Sequence, residues 1–363
     1  MRRGFEIVAV LGGCFLVLAG MVWYAGPEAT FGALAKAGWP AFAAMGGLLA
    51  LFLAAQAAVL GELNRPVGVK APFSVLLQAT TVGMAANIVT PSSYLGGEPV
   101  KLGIIARSSG APLHRIAGTI VLAKYLEALS FALFIALSAG LVGLDYGAAV
   151  FRDGPLLAGG MAAAAMLGLF FGAGILWMSL ARGWRPLTRL ARVGLGCFPR
   201  RRFLRRLYRK ARRTEFQVLR VFREEKGAVR RAFAAHLAGH AAIFLKPAVF
   251  FWLGLGIPLG PGALGLIFLG GQLLLAFQLT PSGIGTLDAG FWLLVAVAGL
   301  PITQPEAAAF LLFMRFWDAV VVSLGAVLGA RLGVKVFSAL RRGAGPASLR
   351  EEAFGGTGGD RRG

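Results

Sequence analysis

A short polar interruption inside apolar sequence restricts this chain more than any other feature. Thr90-Pro91-Ser92-Ser93-Tyr94-Leu95-Gly96-Gly97-Glu98-Pro99-Val100-Lys101 carries two prolines, two adjacent glycines, a carboxylate and an ammonium between hydrophobic flanks. A helix does not run through it, because Pro91 and Pro99 lack the backbone donor and Gly96-Gly97 is a flexible joint. Non-helical backbone at membrane depth is tolerated only where protein covers it or water reaches it. The stretch therefore reads as the tip of a helical hairpin lining a polar cavity. Its candidate site residues are Asn87, Thr90, Pro91, Ser92, Gly96, Gly97, Glu98 and Lys101. Taken alone, it reads equally well as an interfacial loop between two membrane helices.

A second copy weighs against the loop. Thr280-Pro281-Ser282-Gly283-Ile284-Gly285-Thr286-Leu287-Asp288 repeats the pattern, with seven positions from Pro281 to Asp288 as from Pro91 to Glu98. Pro72 lies nineteen residues before Pro91, and Pro261 lies twenty before Pro281. Downstream, Ala-Lys-Tyr-Leu-Glu-Ala places Lys124 and Glu127 three apart, and Met-Arg-Phe-Trp-Asp-Ala does the same for Arg315 and Asp318. The candidate residues of this second half are Gln278, Thr280, Pro281, Ser282, Gly283, Gly285, Asp288, Arg315 and Asp318. A proline, a tip, an acid and a basic-x-x-acid pair in one order and spacing define two structural repeats, at 41–144 and 233–331.

The surroundings are those of a membrane protein. Of 363 residues, 57% are hydrophobic and 15% charged, and the mean hydropathy is +0.72. That balance excludes a soluble domain and predicts several spans. The 52 glycines suit close helix packing in lipid, and strands at barrel spacing are absent, so the spans are helices. The formal charge of +21 follows from basic cytoplasmic loops rather than from nucleic-acid binding. The fold class is thus an all-α polytopic membrane protein with inverted repeats, about six full spans and two hairpins, making a single membrane domain over 1–335.

In chain order, an uncleaved first span covers 5–25, a short outer loop covers 26–39, and the second span covers 41–60. Arg65, Lys70, Arg107 and Arg115 place both ends of the first hairpin in the cytoplasm. The span 116–140 leads out, and 155–180 returns. Residues 182–231 form a basic cytoplasmic loop. In it Arg200, Arg201, Arg202, Arg205, Arg206, Arg209 and Lys210 alternate with Phe203, Leu204 and Leu207 at helical spacing. One or two amphipathic helices on an anionic inner leaflet account for that pattern. The span 233–255 leads out, and the second hairpin opens outside, because neither of its flanks carries Lys or Arg. The span 306–330 returns, and 336–363 is a disordered cytoplasmic tail. Both termini lie in the cytoplasm. The two hairpins consequently enter from opposite faces, as in transporters built from inverted repeats.

Charges within apolar segments are costly and face a bundle interior. Lys124 with Glu127 and Arg315 with Asp318 are i,i+3 neighbours, and Lys101 sits at the interface. These groups either glue the halves together or, with Glu98 and Asp288, line a groove for a charged head group. His236 and His240 lie one helical turn apart without a nearby carboxylate or cysteine, so an interfacial structural role is expected and no metal. No nucleophile–base set, phosphate-cradling glycine loop or cofactor domain is present, so neither a cofactor nor enzyme activity is expected.

The residues Asn87 to Lys101, with Thr-Pro-Ser and Gly-Gly-Glu-Pro, together with Thr280-Pro281-Ser282-Gly283-x-Gly285, resemble the transmembrane region of lysylphosphatidylglycerol synthases over about 5–335. The resemblance implies a lipid-translocating or lipid-binding domain with two re-entrant hairpins in the cytoplasmic (inner) membrane. The chain stops after a short tail, so the synthase activity is not implied. Membrane lipids, anionic phospholipid foremost, are the expected partners, with a second copy or a lipid-modifying enzyme as further ones. A membrane protein that presents lipid to a separate enzyme, or an integral transferase using Glu98, is the alternative.

Overall fold

A computed structural model describes residues 16–90, 96–146, 202–276, 283–297 and 299–332, with Thr280 and scattered positions from 172 to 193. The described residues form helices and connecting turns only. In order these are α1 (Leu16–Ala25), α2 (Pro27–Asn64), α3 (Phe73–Val89), α4 (Glu98–Ser109), α5 (Leu113–Tyr146), α6 (Arg202–Glu224), α7 (Lys226–Ala248), α8 (Pro261–Ala276), α9 (Thr286–Val297) and α10 (Gln304–Arg331). Among the described residues, four helical stretches are long and apolar enough to cross a membrane: Pro27–Val67, Leu113–Tyr146, Lys226–Gly254 and Gln304–Arg331. The chain is an integral membrane protein. Most of the expected span 155–180, residues 5–15 of the expected first span and the tail 336–363 lie outside the described residues.

The expected outer loop over 26–39 is instead helical. Pro27 opens α2, where its missing donor is harmless and its φ already suits a helix. The Ala- and Leu-containing sequence after it has no reason to unwind before Gly38. There φ of +64° breaks the helical path, and Pro40 opens the next segment. The result is a kink of known cause rather than a loop. A second irregularity lies in α7. Pro247 removes the bond to the Ile243 carbonyl, and the helix widens into a π-turn over Val249–Gly254.

The long helices cross over between the halves of the chain. α2 packs against α7, α3 against α10, and α8 against α5. α2 also meets α10, and α7 also meets α5. Small residues permit these approaches: a Cβ on Gly325 of α10 would lie 2.3 Å from the Ala85 Cβ of α3, and one on Gly265 of α8 would lie 2.7 Å from the Ser138 carbonyl of α5. One core holds Leu60, Leu63, Ile105, Ile116 and Leu122. Another holds Met45, Phe250, Phe251, Phe310 and Phe313.

The two ends of the bundle differ chemically. At one end Arg231 pairs with Glu62, Arg115 donates to the Val67 carbonyl, and Arg107 donates to the Leu332 carbonyl. At the other end Gly254 packs on Ala37 and Ala41, and Trp39 and Trp252 are exposed beside that contact. Trp at this level is the mark of a membrane–water interface.

Candidate functional site

The site begins where α3 and α4 meet. Asn87, in the last turn of α3, accepts the Gly97 amide on Oδ1 at 2.6 Å and so closes the interruption across its neck. Gly97 and Gly83 bring the two backbones together, since a Cβ on Gly97 would lie 2.0 Å from the Gly83 carbonyl oxygen. Gly83 in turn leaves the space that the Lys101 stem occupies: its own Cβ would fall 2.7 Å from Lys101 Cγ and Cε. The Lys101 ammonium thereby reaches Glu98 at 3.0 Å. Lys101 is buried within the protein. Thr90 Oγ donates to the Ala86 carbonyl and finishes α3. Pro91 and Ser92 lie outside the described residues, and Gly96 sits in the turn that leads into α4.

Glu98 occupies the first turn of α4, where the helix dipole favours a carboxylate. It also meets Lys124 of α5 at 3.2 Å, and Lys124 meets Glu127 at 2.8 Å. The order is thus acid, base, acid, with Lys101 as a second base.

The second half builds the same order. Gly283 and Gly285 turn the chain at positive φ, +65° and +85°. Thr280 Oγ donates to the Ile284 carbonyl and ties the turn to the end of the interruption. Asp288 lies in the first turn of α9 and accepts the Gly285 amide at 2.9 Å. Its other oxygen takes Arg315 Nη2 at 2.8 Å and Nε at 3.2 Å, and Arg315 Nη1 reaches Asp318 at 3.0 Å. The Asp288 side chain is 0% exposed and that of Arg315 is 15% exposed. Lys246 of α7 lies within electrostatic reach of Asp318. The first network holds two acids and two bases, and in the second Arg315 joins two acids with Lys246 nearby, so charges costly in apolar surroundings have opposite charges beside them. Gln278, Pro281 and Ser282 lie outside the described residues.

The sequence pairs Lys124 with Glu127 and Arg315 with Asp318, and both pairs form. It does not show that each base also holds the acid of its own interruption. The matched spacings, 33 residues from Pro91 to Lys124 and 34 from Pro281 to Arg315, contained that signal. Asp145 was also missed. It accepts the Gly262 amide at 2.6 Å, so the end of α5 caps the start of α8. No local pattern announces a bond between residues 117 positions apart.

His236 and His240 are buried where α7 faces α5, stacked at 6.4 Å, with His240 Nδ1 2.8 Å from Ser130 Oγ. The close α5–α7 packing, unseen in a single-helix pattern, encloses them in protein. Among the described residues no group of three His, Cys, Asp or Glu could hold a metal.

In the basic segment Arg202, Arg205, Arg206, Arg209 and Lys210 fall on α6, and Arg209 is exposed. Arg200 and Arg201 lie outside the described residues. The apolar stripe of α6 is divided: Val218, Leu219 and Val221 are buried in the protein, whereas Phe216 is exposed.

These features define a class, a polytopic helical membrane protein with two interrupted apolar stretches, each carrying a part-buried acid–base–acid network. Within that class, the chain belongs to the family of the lysylphosphatidylglycerol synthase TM region, whose model matches residues 8–326. The chain matches no curated protein and no solved structure.

Proposed function

We propose that this protein binds a phospholipid or lipid-linked head group and moves it across the cytoplasmic membrane, and that it does so as a transporter rather than an enzyme. The observation that carries this reading is the duplicated acid–base–acid network at the start of two helices too short to cross. α4 and α9 have 12 residues each. At about 1.5 Å per residue that is roughly 18 Å, against a hydrocarbon core of about 30 Å. Their partners α3 and α8, with 17 and 16 residues, are also short of a full crossing. Two re-entrant hairpins account for these lengths.

Inverted repeats account for the packing. Exchanging the halves turns the α3–α10 contact into the α8–α5 contact and the α2–α10 contact into the α7–α5 contact, and leaves α2–α7 unchanged. The end carrying Arg107, Arg115 and Arg231 is then cytoplasmic, with both termini on that side. A head group entering between the networks competes for Glu98, Lys124, Asp288 and Arg315 while its acyl chains remain in lipid. Anionic phospholipid fits the bases, and the surrounding arginines of α6 concentrate it at the inner leaflet.

Reconstitution tests the reading. In proteoliposomes containing tail-labelled phosphatidylglycerol, a membrane-impermeant quencher is expected to bleach well beyond the outer-leaflet share. Bleaching limited to the outer leaflet would sink the transport reading, and accompanying conversion of a lipid-linked substrate would favour a transferase.

Topology gives a separate check, made with Cys14 and Cys197 replaced. Arg65→Cys, Ser108→Cys and Arg213→Cys should label from the cytoplasmic side, and Leu144→Cys and Pro301→Cys from the opposite side. Labelling of residues 65 and 108 from different sides would remove the re-entrant hairpin and the inversion with it.

A further inference from the structure

A cavity away from the charge networks lies between α6 and the segment before it. Arg185, Arg189 and Arg192 follow one another at i, i+4 and i+7, and the Arg189 amide donates to the Arg185 carbonyl in a helical bond. Facing them on α6 are Tyr208, Arg212 and Glu215, at the same spacing. Between the two stripes is a cavity of about 360 Å³, to which both rows contribute, with Thr188 on its wall. That volume suits a small polar ligand.

The charge of the cavity is one-sided. Among the described residues, four arginines line it and no carboxylate does. Glu215, on the α6 stripe, is buried and accepts both the backbone amide and the hydroxyl of Thr188. It holds the two stripes together rather than offering itself to the cavity. Tyr208 shares the cavity wall with Arg192 and Arg212. Guanidinium groups gathered in one concavity repel one another. They also present forked donors that match phosphate oxygens in geometry and charge.

We propose that this cavity is a binding site for a phosphate group, placed at the height of the lipid head groups on the basic face of the protein. The phosphate belongs either to an anionic phospholipid or to a soluble phosphate compound. The site differs from the diffuse attraction of the Arg200 to Lys210 run, because it depends on two rows of side chains converging on one volume. Binding is an equilibrium property, so the proposal stands or falls independently of lipid translocation.

The test uses the full chain in phosphatidylcholine nanodiscs. One arm titrates inorganic pyrophosphate by calorimetry. The other adds phosphatidylglycerol to the nanodiscs and counts retained lipid by native mass spectrometry. The wild type is compared with Arg192→Gln/Arg212→Gln and with Lys226→Gln/Arg230→Gln, which removes the same charge from exposed positions of α7 outside the cavity. The cavity variant is expected to lose about tenfold or more in affinity, as for a lost charge-assisted hydrogen bond, while the control keeps its affinity. Loss in the lipid arm identifies a head group, and loss in the pyrophosphate arm identifies a soluble ligand. Equal behaviour of the two variants in both arms overturns the proposal. Tyr208→Phe supplies a second readout that leaves every charge in place. Arg192 foremost, with the charges of Arg212 and Arg185, holds the Tyr208 phenol below its ordinary range. The ultraviolet difference between wild type and Tyr208→Phe should therefore show phenolate forming at lower pH than for a free tyrosine. Bound pyrophosphate should cancel those charges and move the transition back up. A transition that ignores the ligand in nanodiscs that do bind it places the anion elsewhere.

Discussion

Asp288→Asn is expected to be the most damaging single charge removal in the protein. Asp288 is fully enclosed, and one of its oxygens serves two nitrogens of Arg315 while the other takes the Gly285 amide. The amide variant still caps α9 but leaves Arg315, bound to Asp318, next to a neutral group. Breaking a buried pair by removing one partner costs about 3–5 kcal/mol. Glu98→Gln should cost less, because Lys124 keeps Glu127 at 2.8 Å and the Glu98 side chain is 14% exposed. Fluorescence-detected size exclusion after heating ranks the two, and Asp288→Asn should aggregate at the lower temperature. The exchange Arg315→Asp with Asp318→Arg does not repair the network, because it sets a new carboxylate against Asp288 in place of the guanidinium. Recovery of wild-type stability by that exchange would show that the Asp288–Arg315 contact carries no weight. Lipid exchange by the folded fraction separates glue from pathway: normal rates in both carboxylate variants would take these groups out of the translocation route.

Gly97→Ala is expected to be as severe for a different reason. The added carbon would stand 2.0 Å from the Gly83 carbonyl oxygen, and that neighbour is backbone, with no rotamer to give way. The two helices must part by more than 1 Å to restore ordinary contact, a displacement that overpacked cores resist at about 1–3 kcal/mol or more. Parting them also draws the Gly97 amide off Asn87 and carries Glu98 away from Lys124. Loss of stability and loss of transport should therefore appear together. Gly140→Ala is the matched control. It lies in α5 with nothing within 4 Å of the added carbon, and alanine favours a helix by about 1 kcal/mol over glycine. A Gly97→Ala protein as stable as Gly140→Ala would mean that the α3–α4 neck is open in the membrane.

What could be read from the sequence was whatever depends on spacing along the chain. The two interruptions, the short apolar segments beside them and the basic-x-x-acid pairs are all local, and the ion networks follow their register. What could not be read depends on which helix becomes whose neighbour. Asn87 on the Gly97 amide, Asp145 on the Gly262 amide and the depth of His236 each require a partner element to be known first. The helix over 27–37 was missed for another reason: 26–39 was read as a short outer loop between two spans, whereas Pro27 starts a helix and Gly38 with Pro40 only bends it. The arginine cavity was hidden in a charge run, since composition reports how many arginines there are and not that some of them converge.

The crossover packing has a mechanical consequence. α3 leans on α10 as well as on α2 and α4, α8 leans on α5, and Asp145 at the tip of α5 grips the first turn of α8. A tilt of α10 would therefore drag the first broken pair, and a tilt of α5 the second. If the protein moves lipid as proposed, with α2 and α7 as the shared fulcrum, rocking one half would lift one tip as it lowers the other. The molecule would then work as a see-saw: the crevice at one membrane face would widen only as its counterpart at the other face narrows, so a continuous leak would be avoided by leverage without a separate gate.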